Sequence, residues 1–482
     1  MTLTLVGLGP GHIDDLSRRA WRALETASTV YLRTERHPCV PDLPAGPAYQ
    51  SFDAIYERVS DFAQVYATIV DEVMAAARSG PVVYAVPGDP LVGEATVTLL
   101  LERARAESLP VDVINGISFI EPTLAALGVD ALDGLQVIDA LAVAAAHHPP
   151  INPEFPALLG QVYSRQVASD VKLTLMNQYP DGFPVTLIHG AGTPDAVVET
   201  LPLHEIDHNA QIAHLTALYV PALGPLTSFE AVQEIVAHLR APEGCPWDRK
   251  QTHQSLRQYL LEETYEVLEA IDADDPVELS EELGDLLLQI ALHAQIAAEY
   301  GEFTMADVNR ALSQKMIRRH PHVWGDVSVN GTDEVVSNWE AIKKQEHAQK
   351  GVKRESRLDG VPKDLPALLQ AYRYQQKAAK VGFDWPSMEP VAAKVREELD
   401  ELLTATDADH RAEEMGDLLF VLANWARWLE IEPETALRAA NAKFARRFRY
   451  IEAAVAASGK AMETYPLAEL DALWDEAKAT GL

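Results

Sequence analysis

The chain has 482 residues, about three times the length of a typical single domain, which predicts two to four folded units. With 48% apolar and 23% charged residues it can build ordinary hydrophobic cores throughout. Forty Lys and Arg against 72 Asp and Glu give a net charge of −32, which argues against broad binding to DNA, RNA or an anionic membrane.

The opening MTLTLVGLGPGH has no basic stretch and no cleavage pattern, and it runs straight into a glycine turn, so a cytoplasmic protein is expected. No apolar run reaches the roughly 18 residues needed to span a bilayer. Cys39 and Cys245 are too few for a disulfide framework and too far apart for a cysteine zinc site, so both read as reduced thiols. Cys245 is expected to be a small buried packing residue.

Up to about residue 222, β-branched runs alternate with helical stretches: LTLVG (3–7), VVYAV (82–86), VDVI (111–114), LQVID (135–139), VKLTLM (171–176) and VTLIHG (185–190). This is the pattern of an α/β domain. VGLGPG (6–11) follows the first strand, but His12 stands where the third glycine of G-x-G-x-x-G is needed, so no standard dinucleotide site is assigned. VPGDP (86–90) also leaves a strand directly, with a glycine that permits close approach to a ligand. HHPPINPEFP (147–156) reads as a Pro-rich connection, with a lid over a cleft as the alternative.

VPALGPLTSF (220–229) closes the strand-rich part, with a boundary near Pro225. The 3.6-residue apolar period then predicts helices over 253–271, 276–300, 305–319, 334–348, 366–381, 388–404, 408–430, 433–457 and 466–479. The basic stretch 343–357 separates two groups of them and reads as a solvated linker or an exposed helix end.

The helical half repeats itself. EETYEVLEA (262–270) matches EELDELLTA (397–405), and EELGDLL (281–287) matches EEMGDLL (413–419). Lys315, Arg318 and Arg319 recur as Lys443, Arg446 and Arg447, and the stretch Trp339 to Lys343 recurs as Trp474 to Lys478. Four collinear matches indicate a duplicated unit of about 120 residues.

Glu263 and Glu266 share a helix face, as do Glu282 and Asp285 on the next helix, and an antiparallel pair would bring the four carboxylates together. Glu398, Glu401, Glu414 and Asp417 repeat the arrangement. Oxygen donors without His or Cys favour Mg²⁺, or Mn²⁺, over zinc. Gly284 and Gly416, between the paired acids, suggest that a backbone or a ligand approaches closely. Lys443 and Arg447, one turn apart, suit phosphate oxygens, and Trp339 and Trp474 are candidates for base stacking.

CPWD (245–248), the carboxylate pairs, RRHPHVWGD (318–326), GFDWP (382–386) and ANAKFARRF (440–448) resemble a tandem MazG protein over about 230–482. The resemblance implies an all-α, Mg²⁺-dependent enzyme, usually dimeric, that converts a nucleoside triphosphate and water to a monophosphate and pyrophosphate. It places metal on the two carboxylate sets and nucleotide on Lys394, Lys443, Arg447 and Trp474, with Lys315, Arg319 and Trp339 as the partial set of the first repeat. Tyr259 stands at the position of Lys394, so the second repeat is the preferred active site, and His410 stands where the family often carries Lys. Glu397, or Glu262 in the first repeat, is a candidate general base toward water.

VGLGPG, VPGDP, NGISF (115–119), 161–181 and HGAGTP (189–194) resemble a tetrapyrrole methylase domain over about 1–222. The whole chain therefore looks like a tetrapyrrole methylase/MazG fusion: a two-lobed α/β domain (1–222) and two helical repeats (230–350 and 358–482). The resemblance implies S-adenosylmethionine (SAM) in the cleft, at Pro10, Gly88, Asp89, Val92, Ser118 and Phe119. The expected function is hydrolysis of unwanted nucleoside triphosphates by a homodimer, without nucleic-acid or membrane partners. The alternatives are SAM-dependent methylation of a tetrapyrrole-like or other small molecule, and a non-catalytic sensing or dimerisation module that regulates the hydrolase.

Overall fold

The computed structural model describes residues 2–59, 61–349 and 356–481. It divides into two compact units, Met1–Leu312 and Ser313–Leu482. The middle of the basic stretch, 350–355, lies outside the described residues.

The first unit opens with a five-stranded parallel sheet: β1 (Leu3–Gly7), β2 (Thr29–Leu32), β3 (Ala48–Ser51), β4 (Val82–Val86) and β5 (Val111–Ile114), in the order β3-β2-β4-β1-β5. Its strands are near-continuous Val, Leu and Tyr because helices cover them; Leu3, Leu5 and Tyr84 are fully inaccessible. The register pairs Gly7 with Val86 and Val6 with Ile114, so the loops after β1, β4 and β5 emerge side by side at the carboxyl edge.

A second, mixed sheet follows: β6 (Gln136–Asp139), β7 (Ala157–Gly160), β8 (Pro184–His189), β9 (Val197–Pro202) and β10 (Thr216–Val220), in the order β6-β7-β10-β8-β9. Only β6 and β7 pair in parallel; the other neighbours are antiparallel. The strand expected over 171–176 is instead the end of a helix, Arg165–Leu175, capped by Ser164. Val167, Ala168, Val171, Thr174 and Leu175 are its buried residues, a spacing of three and four that outweighs β-branched composition. The glycine turn after β1 leads into a single 3-10 turn, Ile13–Asp15, and the next α-helix starts only at Arg18 behind Ser17.

The expected helices of the second half all begin within four residues of their expected starts, and one more, Phe229–Arg240, precedes them behind Ser228. Arg257–Ala273 and Pro276–Glu299 form the first hairpin, around a core of Val236, Leu256, Ala291, Leu292 and Ile296. In the second unit Met388–Thr404 and Ala408–Trp428 form the matching hairpin, with Asp407 capping the second helix through the His410 amide.

Candidate functional site

Each hairpin gathers three carboxylates. Glu398, Glu401 and Glu414 each offer an oxygen within 4.8 Å of the others, and Glu263, Glu266 and Glu282 do the same. Asp417 and Asp285 are exposed and stand outside these groups, although the Asp285 charge is close enough to act on Glu263 and Glu282.

The clusters differ in how their charge is compensated. In the second repeat Glu398 and Glu414 are buried, at 5% and 9% exposure. Lys394 Nζ lies 2.8 Å from both Glu397 Oε1 and Glu398 Oε1, and its hydrogen bonds to these two carboxylates raise its pKa. His410 Nε2 lies 3.0 Å from Glu414 Oε1. Desolvation and then repulsion by Glu414 push the Glu401 carboxyl up.

The first repeat carries Tyr259 in place of Lys394 and Glu278 in place of His410, so an ammonium becomes a phenol and an imidazole becomes a carboxylate. Its acids feel each other directly. Glu263 is raised by desolvation and then by Asp285 and Glu266; Glu282 by desolvation and then by Glu266, Glu278 and Asp285. Glu282 Oε2 is buried with no hydrogen-bond partner among the described residues, and so is Oε1 of Gln289, whose amide donates to Glu263 at 3.4 Å. Gln289 was not expected from the sequence; its place in the apolar run LLLQIALHA was its only signal.

A Cβ built at Gly284 or Gly416 would meet no atom of another described element within 4 Å, so of the two expected neighbours, a backbone or a ligand, no backbone of another element approaches there. Lys443 is exposed, the Arg447 guanidinium lies 5.4 Å from the Trp474 ring centre, and Phe444 packs on the same indole at 5.2 Å. In the first repeat Lys315 is half-buried, Trp339 meets His320 edge-on at 4.8 Å, and Arg319 is paired with Glu346. These three belong to the second compact unit, whereas the first carboxylate cluster belongs to the first. Cys245 is half-buried rather than buried.

In the α/β part, Gly9 and Gly88 exchange backbone hydrogen bonds of 3.2 and 2.8 Å, which locks the loops after β1 and β4 together. A Cβ at Gly116 would lie 2.3 Å from the Gly88 oxygen and one at Gly7 2.5 Å from it, so only glycine allows three loops to converge. Beside them is a cavity of about 150 Å³ whose wall includes Pro10, Gly88, Val92 and Phe119. The ring of Phe119 fills the space a Cβ at Gly160 would take.

Asp89 and Ser118 are buried but lie outside this wall. Asp89 accepts from the Leu91 amide, the Asn115 side chain and the Gly116 amide, and so ties the loops to each other. Ser118 Oγ donates to Glu121 at 2.5 Å. The sequence reading missed His37 and Glu94, both on the wall. Burial pulls the His37 imidazole down to about 4; its Nδ1 lies 3.2 Å from Cys39 Sγ, and its Nε2 has no hydrogen-bond partner among the described residues. Burial pushes the Cys39 thiol up to about 11, so it stays protonated and unreactive.

The MazG nucleotide pyrophosphohydrolase domain model matches residues 251–324, and the tetrapyrrole (corrin/porphyrin) methylase model matches residues 2–207. The Bacillus subtilis protein YabN is 44% identical over 99% of this chain and 98% of its own length. The chain belongs to the tetrapyrrole methylase/MazG fusion family. The MazG nucleoside triphosphate pyrophosphohydrolase/pyrophosphatase of Thermotoga maritima is 48% identical over 52% of this chain and 95% of its own length. The nucleoside triphosphate pyrophosphohydrolase of Escherichia coli is 45% identical over 52% of this chain and 98% of its own length. The MazG match covers the first hairpin with Glu263, Glu266, Glu282 and Asp285, and the methylase match covers both sheets except β10.

Proposed function

We propose that residues 230–350 and 358–482 are two repeats of a Mg²⁺-dependent nucleoside triphosphate pyrophosphohydrolase, joined to a SAM-binding methylase-like domain over 1–222. The observation that carries this is the recurrence of a three-carboxylate cluster at matched positions of both hairpins. The donor set fits a hard cation: it consists of carboxylate oxygens, and in the first repeat Glu282 Oε2 is buried without a hydrogen-bond partner among the described residues. Glu398, Glu401 and Glu414 would hold the ion, with Asp417 beside them, and Mn²⁺ suits the same donors. Bound there, the ion supplies Lewis-acid polarisation of a phosphoryl oxygen.

The remaining work falls to the chain. Glu397, exposed and hydrogen-bonded to Lys394, takes the proton of the attacking water. Lys443 and Arg447 neutralise charge on the phosphates, and Trp474 flanks the nucleotide. When phosphate draws Lys394 away, Glu397 and Glu398 are both released from it. Hydrolysis in ¹⁸O-labelled water tests the reading: monophosphate and pyrophosphate, one of them carrying the label, are expected, and diphosphate with labelled orthophosphate would contradict it.

The α/β cavity fits SAM at Pro10, Gly88, Val92 and Phe119, with Asp89 and Ser118 shaping the loops and His37 on the wall. Gly116→Val forces these loops apart and is expected to weaken S-adenosylhomocysteine binding by about 100-fold, the scale of a 1 Å misplacement, with unchanged far-UV circular dichroism. Equal affinity by calorimetry would contradict the placement.

A second copy of the chain is the occupant assigned to the exposed apolar face of Met415, Leu419, Phe420 and Leu422, giving a homodimer. Among the described residues no helix is long and apolar enough to cross a membrane. The role that accompanies the proposed activity is nucleotide-pool cleaning in the cytoplasm.

A further inference from the structure

The two arginines at the end of the Met305–Arg319 helix converge on one carboxylate of the Thr332–Gln349 helix. Arg319 Nη2 donates to Glu346 Oε2 at 2.7 Å, and Arg318 donates to Glu346 Oε1 from Nε at 2.8 Å and from Nη2 at 2.6 Å. The Glu346 side chain is 11% exposed, and hydrogen bonds from Arg319 and then Arg318 hold its carboxyl down to about 2. Such a fork-to-carboxylate pairing uses the donors that a guanidinium offers to phosphate.

Arg318 and Arg319 correspond to Arg446 and Arg447 of the second repeat, and the alignment that matches Trp339 with Trp474 sets Gly481 opposite Glu346. Gly481 has no side chain with which to do the same. Charge points the same way in the rest of the repeat, where Tyr259 and Glu278 replace Lys394 and His410.

We propose that Glu346 is a built-in phosphate substitute: it occupies the guanidinium pair of the first repeat, so that a polyphosphate must displace it to bind there, and thereby directs nucleoside triphosphates to the second repeat. The proposal rests on the hydrolase reading for its substrate but not for its chemistry, which requires only a polyphosphate anion. Glu346 is in this sense a specificity-determining residue, acting through Arg318 and Arg319.

The test is calorimetric titration of the full chain, with Mg²⁺ present, using an α,β-methylene nucleoside triphosphate and, separately, inorganic tripolyphosphate. Glu346→Gln keeps the shape and removes the charge; it is expected to strengthen the weaker polyphosphate site at least about 10-fold, the range of one charge-assisted hydrogen bond. Glu346→Asp is expected to retain the wild-type affinity, and Arg319→Ala placed on Glu346→Gln to cancel the gain. A purely structural role predicts the reverse, a lower unfolding temperature and weaker binding in Glu346→Gln, and that result, or unchanged affinity for both probes, overturns the proposal. If Glu346→Gln gains tripolyphosphate affinity while neither protein binds the nucleotide, the proposal stands and the nucleotide reading falls.

Discussion

Glu398→Ala is expected to lower Mg²⁺-dependent pyrophosphate release by at least about 100-fold, whereas Glu263→Ala is expected to leave most of it, as read from kcat/KM. Loss of a group that merely orients a metal ligand costs about 10- to 100-fold, so loss of the ligand itself sets a higher floor. Glu398 is buried between Lys394 and the other two acids, and its removal leaves Lys394 paired with Glu397, the group assigned to the water. The first repeat lacks the Lys394 cation, so its carboxylates contribute less to turnover. Equal losses in the two variants, or a larger one in Glu263→Ala, would make the first repeat a working site.

Mg²⁺ is expected to raise the unfolding temperature by about 5–10 °C at pH 8 and by far less at pH 4.5. An ion at about 100 times its dissociation constant adds about 2.7 kcal/mol, and each kcal/mol moves a unit of this size by about 2–4 °C. The pH dependence follows from the sign of the carboxyl shifts. Glu263, Glu282 and Glu401 are raised in the folded chain, so folding retains protons that the unfolded chain has lost. Their contribution to stability is fully present below the ordinary carboxylate range and is lost as pH rises through the raised values. The ion requires the ionised form and relieves the repulsion that develops in this window. Differential scanning calorimetry with and without Mg²⁺ at each pH isolates the effect from carboxylates such as Glu346, whose shift is downward. A shift of equal size at both pH values, or none, would contradict ligation by these clusters.

Periodicity made the helical half legible almost to the residue, because long amphipathic segments with acidic caps such as Asp275 and Asp407 leave little ambiguity. The α/β half was harder to read. Strands β2, β3, β7, β9 and β10 are only four to six residues long, too short for a distinctive period, and the β-branched 171–176 segment followed helix spacing instead. Duplication exposed the carboxylates that converge, since the same acids recur around Gly284 and Gly416. It could not show which acids are compensated: the Lys394 and His410 contacts depend on side-chain reach across a helix turn, and Glu346 meets Arg318 and Arg319 from another helix. His37 was likewise invisible, because its burial against Cys39 arises from chain far from β4 and β5 in sequence.

The most direct measurement is simultaneous quantification of monophosphate and pyrophosphate from a panel of standard and altered nucleoside triphosphates, with Mg²⁺ and with a chelator. Equimolar formation of both products, present with the ion and lost with the chelator, is the predicted result. No release from any nucleotide with Mg²⁺ or Mn²⁺, or release unaffected by the chelator, would contradict the assignment of the carboxylate clusters to metal-dependent nucleotide hydrolysis.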